Sequence, residues 1–314
     1  MSKAKLIYLI IALIFVVSLS PSQPATYQFL LIDPSARASA LGGSFIGMRN
    51  DPNGMFYNPA LIGTFQSTQI SFTYLNHLMD VNAGTLSLGH YLKGIGNIGM
   101  GILYVDYGNF QRTDEVMNPI GSFSANDFAL TIGTAFHYDK DVIFGINAKY
   151  IHSSIAEYSS YALSLDLGII YEIPSENLVI GASLLNIGQQ FKSFSGILEP
   201  LPREIKLGIT KKPEHLPAYL NIVFHKVNDG GTKIFKHFQN FTFGAEFLMS
   251  NNFQLRVGYN NRLRRDMKMG ATSGLAGFSI GVGFIYKNYQ IDYAYNSIGK
   301  NLDGLQRLSL GIIL

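Results

Sequence analysis

From Gln69 to Leu314 the chain consists of short stretches in which every second residue is apolar. Successive side chains of a strand point to opposite faces, so each stretch predicts a strand with one apolar face. Phe278, Ile280, Val282, Phe284 and Tyr286 show it plainly, because the intervening set is Gly277, Ser279, Gly281, Gly283 and Lys287. Fourteen such stretches can be read, with apolar sets opening at Ile70, Leu86, Ile98, Phe128, Val142, Tyr161, Leu178, Ile205, Leu220, Phe241, Phe253, Phe278, Ile291 and Leu308.

The links between them alternate in length. Lys93 to Gly96, Asp139 to Asp141, Met249 to Asn252 and Lys287 to Tyr289 are tight, whereas Asp106 to Ser124, Ile187 to Pro202, Asn228 to Asn240 and Asn260 to Ser273 are long. An even number of strands with links sorted this way predicts an all-β fold, a 14-stranded antiparallel transmembrane barrel. Tight turns then face the periplasm and long loops the cell exterior. A soluble sandwich has no reason to sort its loops by parity.

Residues 26–66 break the alternation. They carry Asp33-Pro34-Ser35-Ala36-Arg37, Leu41-Gly42-Gly43, Asp51-Pro52-Asn53-Gly54 and Tyr57-Asn58-Pro59-Ala60, all rich in turn formers. Barrels of this size are filled or plugged, so the expectation is an N-terminal hatch in the lumen.

Composition supports export to an outer membrane. Only 14% of residues are charged and 47% are hydrophobic, against about 25% charge in an ordinary soluble domain. Lys3 and Lys5 precede the apolar run Leu6 to Val17, which predicts a signal peptide over 1–22 with cleavage between 22 and 25. The expected order is therefore signal peptide, hatch over 26–66 and barrel over 67–314. No later stretch is long and apolar enough for a helical span. Without Lys3 and Lys5 the balance is 22 basic to 21 acidic residues, which argues against nucleic acid as a partner. There is no Cys, so thiol chemistry, disulfides and a lipoprotein anchor are excluded.

Alternation also places charges. Lys149, Asp166, Glu246, Arg256 and Asp292 fall on the inner set, where a lumen charge network is expected; at mid-depth on the lipid face each would cost about 2–4 kcal/mol. With no Trp, interfacial girdles must use Tyr and Phe, with Tyr74, Tyr104, Tyr138, Tyr150, Tyr171 and Tyr286 near strand ends.

The hatch-like stretch with Asn58-Pro59-Ala60 resembles that of FadL-like outer-membrane proteins. Further stretches are similar to the PorV/PorQ family of the type IX secretion system: Asp33-Pro34-Ser35-Ala36-Arg37 through Gly43, Asp80-Val81-Asn82-Ala83-Gly84, Tyr104-Val105-Asp106-Tyr107-Gly108, Gly121 through Asp127, Lys212 through Pro217 and Gly274 through Phe278. The resemblance implies a 14-stranded barrel whose hatch carries Asp33, Ser35, Arg37, Asn58, Pro59 and Ala60. It also implies a place in the cell-surface attachment complex with PorU-like, PorV-like and PorZ-like proteins, which joins cargo to anionic lipopolysaccharide. PorU-like members perform the chemistry; this chain would anchor a PorZ-like partner. The alternative is a FadL-like channel for hydrophobic compounds.

Catalytic motifs are weak. Ser297-Ile298-Gly299-Lys300 fits S-x-x-K, but neither K-T-G nor S-D-N accompanies it. Asp51-Pro52-Asn53-Gly54 imitates the start of a calcium loop, yet Ile62 stands where its final carboxylate belongs. Seven scattered His offer no metal-like pair. No cofactor and no enzymatic activity are expected. Arg262, Arg264, Arg265 and Lys268 form a basic cluster on a long loop, a candidate contact for lipopolysaccharide phosphates or an acidic partner.

Overall fold

The computed structural model describes residues 26–76, 81–94, 96–227, 238–267, 274–299 and 304–314; the expected signal peptide, Asp80, Lys268 and Lys300 lie outside these residues. Fourteen strands follow an irregular N-terminal segment. They are β1 (Gln69–Asn76), β2 (Asn82–Leu92), β3 (Gly96–Thr113), β4 (Pro119–His137), β5 (Val142–Ile155), β6 (Tyr158–Ile173) and β7 (Leu178–Lys192). The second half adds β8 (Glu204–Lys211), β9 (Ala218–Phe224), β10 (Phe241–Leu248), β11 (Phe253–Asn260), β12 (Phe278–Tyr286), β13 (Tyr289–Asn296) and β14 (Leu305–Ile313).

Each strand pairs antiparallel with its neighbours in sequence, and β1 closes the ring by pairing with β14, Gln69 opposite Ile313 and Asn76 opposite Gln306. The closed 14-stranded antiparallel barrel read from alternation is the observed fold. Closure removes the unpaired edges that would otherwise be left in the bilayer. Phe72, Leu86, Met100, Ile132, Leu163, Val282, Ile291 and Leu310 are exposed on the outer face. Tyr74, Tyr104, Tyr138, Tyr150 and Tyr286 are exposed near its edges, as an interfacial girdle requires. Val142 and Ile205 are buried despite their outward parity.

The link lengths need correction on one wall. The expected loop from Asp106 to Ser124 is mostly strand: β3 and β4 run on to Thr113 and Pro119, with a register shift between Asp106 and Asn109. Gly108 takes φ +78° at that shift, a left-handed position that favours glycine. β5 and β6 meet through 156–157 alone, and β7 continues to Lys192 inside the expected Ile187 to Pro202 loop. This wall is raised at the long-loop rim. Its upper residues need no apolar face, so alternation could not mark them as strand. On the opposite side, the expected loop from Asn260 contains a short helix, α2 (Asn261–Asp266).

Candidate functional site

Small residues explain how the N-terminal segment fits the barrel. Ser35 caps a one-turn helix, α1 (Ala36–Ala40), by accepting from the Ala38 amide, and Ala36 N–H donates to Ser309 on β14 at 3.0 Å. Ala36, Ala38, Ser39 and Ala40 are all buried, so the helix lies close against the wall. Two Asx–Pro turns follow, each a cap with Pro at the first helical position. Asp51 accepts from the Asn53 amide at 2.9 Å, and Asn58 from the Ala60 amide at 3.1 Å. The calcium-like motif is therefore an Asx turn.

The barrel meets this segment with inward-facing glycines. Gly89, Gly99 and Gly133 stand side by side across β2, β3 and β4, and Gly145 opposes Gly168 across β5 and β6. Gly244 opposes Gly258 across β10 and β11. A Cβ on Gly145 would collide with the backbone of Pro59 and Ala60; on Gly168, with the Asn58 side chain; on Gly258, with the backbone of Leu41 and Gly42. The alternate glycines thus form seats for the N-terminal segment. Met55, Ala60, Leu61, Ile62 and Phe65 fill the space behind them with Ala135, Ile143 and Ile170.

The Asn58 side chain ties the segment both to itself and to the wall. Besides its cap, its Nδ2 donates to Ile46 O at 3.2 Å and to Ile169 O on β6 at 3.1 Å, and the residue is wholly buried. Asn58→Ala leaves both carbonyls and an amide unmet and is expected to cost about 2–4 kcal/mol of seating. Faster protease cleavage within 26–66, with the barrel intact, would register it.

The five inner charges form two groups instead of one network. On β5 and β6, Lys149 pairs with Asp166 at 2.9 Å and donates to Asn186 at 2.8 Å, while Asn147 reaches both Asp166 and Met55 O. On the far side, Arg256 of β11 binds Glu246 of β10 at 2.6 Å and Asp292 of β13 at 2.5 Å. Closure of the ring separates the two groups. Arg37 joins the second: it grips both Glu246 oxygens at 2.8 Å and reaches Asp51 at 3.3 Å. Burial works against its charge, but Glu246 outweighs it and raises the pKa of the Arg37 guanidinium. Asp33 accepts from Tyr57 OH at 3.2 Å, and its carbonyl accepts from Arg307 at 3.1 Å.

Arg307, Glu204 and Lys206 are inner charges missing from the sequence reading, although parity marks them through their outward neighbours Leu308 and Ile205. Glu204 pairs with Lys206 at 3.3 Å and lies 3.3 Å from His225. The three arginines of the basic cluster fall on α2. Arg262 pairs with Asp266, Arg264 bonds Gly274 O and lies over the Phe278 ring, and Arg265 binds Gln239 and Asn240 of the neighbouring loop. Among the described residues no group of three acidic or His side chains could hold a metal.

Two recesses lie outside this packed interior. An apolar groove of about 370 Å³ on the outer wall is lined by Phe136, Phe144, Ile146, Leu167, Ile169 and Leu184, with Gly145 and Gly168 at its base. At the short-turn rim a cavity of about 470 Å³ opens between the segment and β6 to β9.

No protein-family model matches this chain, and no curated protein matches its sequence. Solved structures do match its shape. The toluene transporter TbuX of Ralstonia pickettii aligns with a TM-score of 0.57 at 14% identity, over 90% of this chain and 97% of that one. The P. putida toluene transporter TodX gives 0.57 at 12%, over 88% and 97%. A Pseudomonas aeruginosa FadL homologue gives 0.54 at 11%, over 93% and 99%. Together with strand number and closure, these likenesses show a FadL-like barrel fold.

Proposed function

We propose that this chain is an outer-membrane barrel that works as a filled support for a surface partner, in the attachment complex of type IX secretion. One observation carries the reading. The lumen is occupied by a segment fixed on both sides, by Asn58 and the glycine seats of β5 and β6 and by Arg37 on the Glu246–Arg256–Asp292 group. A support needs rigidity of this kind; a continuous pore does not. The resemblance to PorV/PorQ proteins, nearer to PorQ in length and loop size, supplies the partners: a PorZ-like protein held at the surface, with PorU-like and PorV-like proteins and lipopolysaccharide beside it. Short turns then face the periplasm, and the raised wall of β3 to β7 with the α2 arginines faces outward. Arg265 is exposed there and Arg262 and Arg264 are half-buried, leaving guanidinium surface for an acidic or phosphate-bearing partner.

A second reading is a channel for hydrophobic compounds. The outer-wall groove favours it, since this apolar recess lies directly behind Gly145 and Gly168, the glycines that seat the segment on the lumen side. Deletion of the chain followed by cell fractionation separates the two. The support reading expects the PorZ-like protein and attached cargo to leave the cell surface while uptake of labelled toluene or fatty acid is unchanged. Retained cargo with lost uptake would establish the channel instead.

A further inference from the structure

The cavity at the short-turn rim has a chemistry of its own. Its size falls in the range that takes a small molecule. Arg37, Arg49, Glu172 and Lys212 are its charged lining residues. Arg37 is neutralised from behind by Glu246 and Asp51, neither of which lines the cavity. Arg49 pairs with Glu172 Oε2 at 3.2 Å. Lys212 lies over the Tyr219 ring at 5.5 Å and has no carboxylate within ion-pair distance among the described residues. One positive charge is therefore left over.

Glu172 has the opposite shortage. Its second oxygen, Oε1, is buried and accepts no hydrogen bond from a protein donor. A buried acceptor of that kind is costly to leave unmet, and a carboxylate oxygen more so. A cation lacking an anion thus lines the same cavity as a carboxylate whose second oxygen, turned into the wall, lacks a donor. A ligand with one charge would satisfy only one of them.

We propose that this cavity binds a free amino acid or short peptide carrying both a free carboxylate and a free ammonium. Lys212 and Arg49 take the carboxylate, and Glu172 takes the ammonium. The terminal torsion of Glu is soft, so the carboxylate turns one oxygen to the ligand while the other holds Arg49. Thr210 donates its hydroxyl proton to Asn221 at 2.5 Å and keeps its lone pairs for the ligand, while the amides of Asn50 and Asn177 suit a peptide bond.

Calorimetric titration of the full chain in detergent micelles tests this, with L-alanine, Ala-Ala and Ala-Ala-Ala as probes and propionate and ethylamine as one-charge controls. At least one zwitterion should bind about tenfold more tightly than either control, and Lys212→Gln and Glu172→Gln should each weaken it about tenfold. Equal binding of propionate or of ethylamine would overturn the proposal, as would the absence of heat from every zwitterion at about 10 mM. Heat-modifiable migration on gels reports folding of the variants. If Glu172→Gln fails to fold, the control ligands on the unaltered chain and Lys212→Gln decide the matter.

Discussion

Arg256→Met is expected to destabilise the barrel by about 3–5 kcal/mol, the cost of breaking a buried ion pair from one side. Arg256 is 1% exposed and sits between Glu246 and Asp292, which are nearly as buried. Met fills much of the same volume but leaves Asp292 with Gln290 as its remaining donor, at 2.7 Å. Glu246 still has Arg37, so the loss concentrates on Asp292. A lower urea midpoint with an unchanged slope would show it, since the slope tracks the surface exposed on unfolding. Adding Asp292→Asn removes the stranded charge and should recover about half or more of the loss. A double variant no more stable than the single one would mean that lost packing, and not uncompensated charge, sets the cost.

Gly145→Val combined with Gly168→Val should unseat residues 26–66 while the barrel stays closed. The new side chains fall on the Pro59–Ala60 backbone and on Asn58, which have little room to yield. Overpacking of a filled interior costs about 1–3 kcal/mol per site, so two neighbouring sites exceed what the local seat supplies. Protease cleavage within the segment should rise by about tenfold or more, since local opening is governed by local stability, and conductance across a planar bilayer should appear. Gly84→Ala is the control, because a Cβ there meets nothing nearer than 3.9 Å. An uncleaved segment in the double variant would show that the glycine seats are not what holds it.

The barrel was legible because alternation is a property of the backbone itself. Once Phe278, Ile280 and Val282 are known to face lipid, Ser279, Gly281 and Gly283 must face the lumen, and the inward parity of Lys149, Asp166, Glu246, Arg256 and Asp292 follows equally. What alternation lacks is distance across the ring. Nothing local says that Lys149 meets Asp166 while Glu246 meets Arg256, because both pairings depend on register. Nor does it say that Arg37, 209 residues from Glu246, completes the second group.

The same reasoning explains the misread wall. The strand signal in 106–124 is faint because residues above the bilayer are freed from the apolar rule, yet Phe110 still pairs with Phe123 and Gln111 with Ser122. Backbone hydrogen bonding sustains the hairpin there without a hydrophobic face to announce it.

By itself, the sequence determined strand number, closure and which face of each strand meets lipid, since these follow from a period of two and from the need to satisfy every backbone group in a bilayer. Only the tertiary structure decided what the inner face does. It turned scattered glycines into seats and separated charges into two bolts, because both depend on which residues of a closed ring and an inserted segment come within a few ångströms of each other.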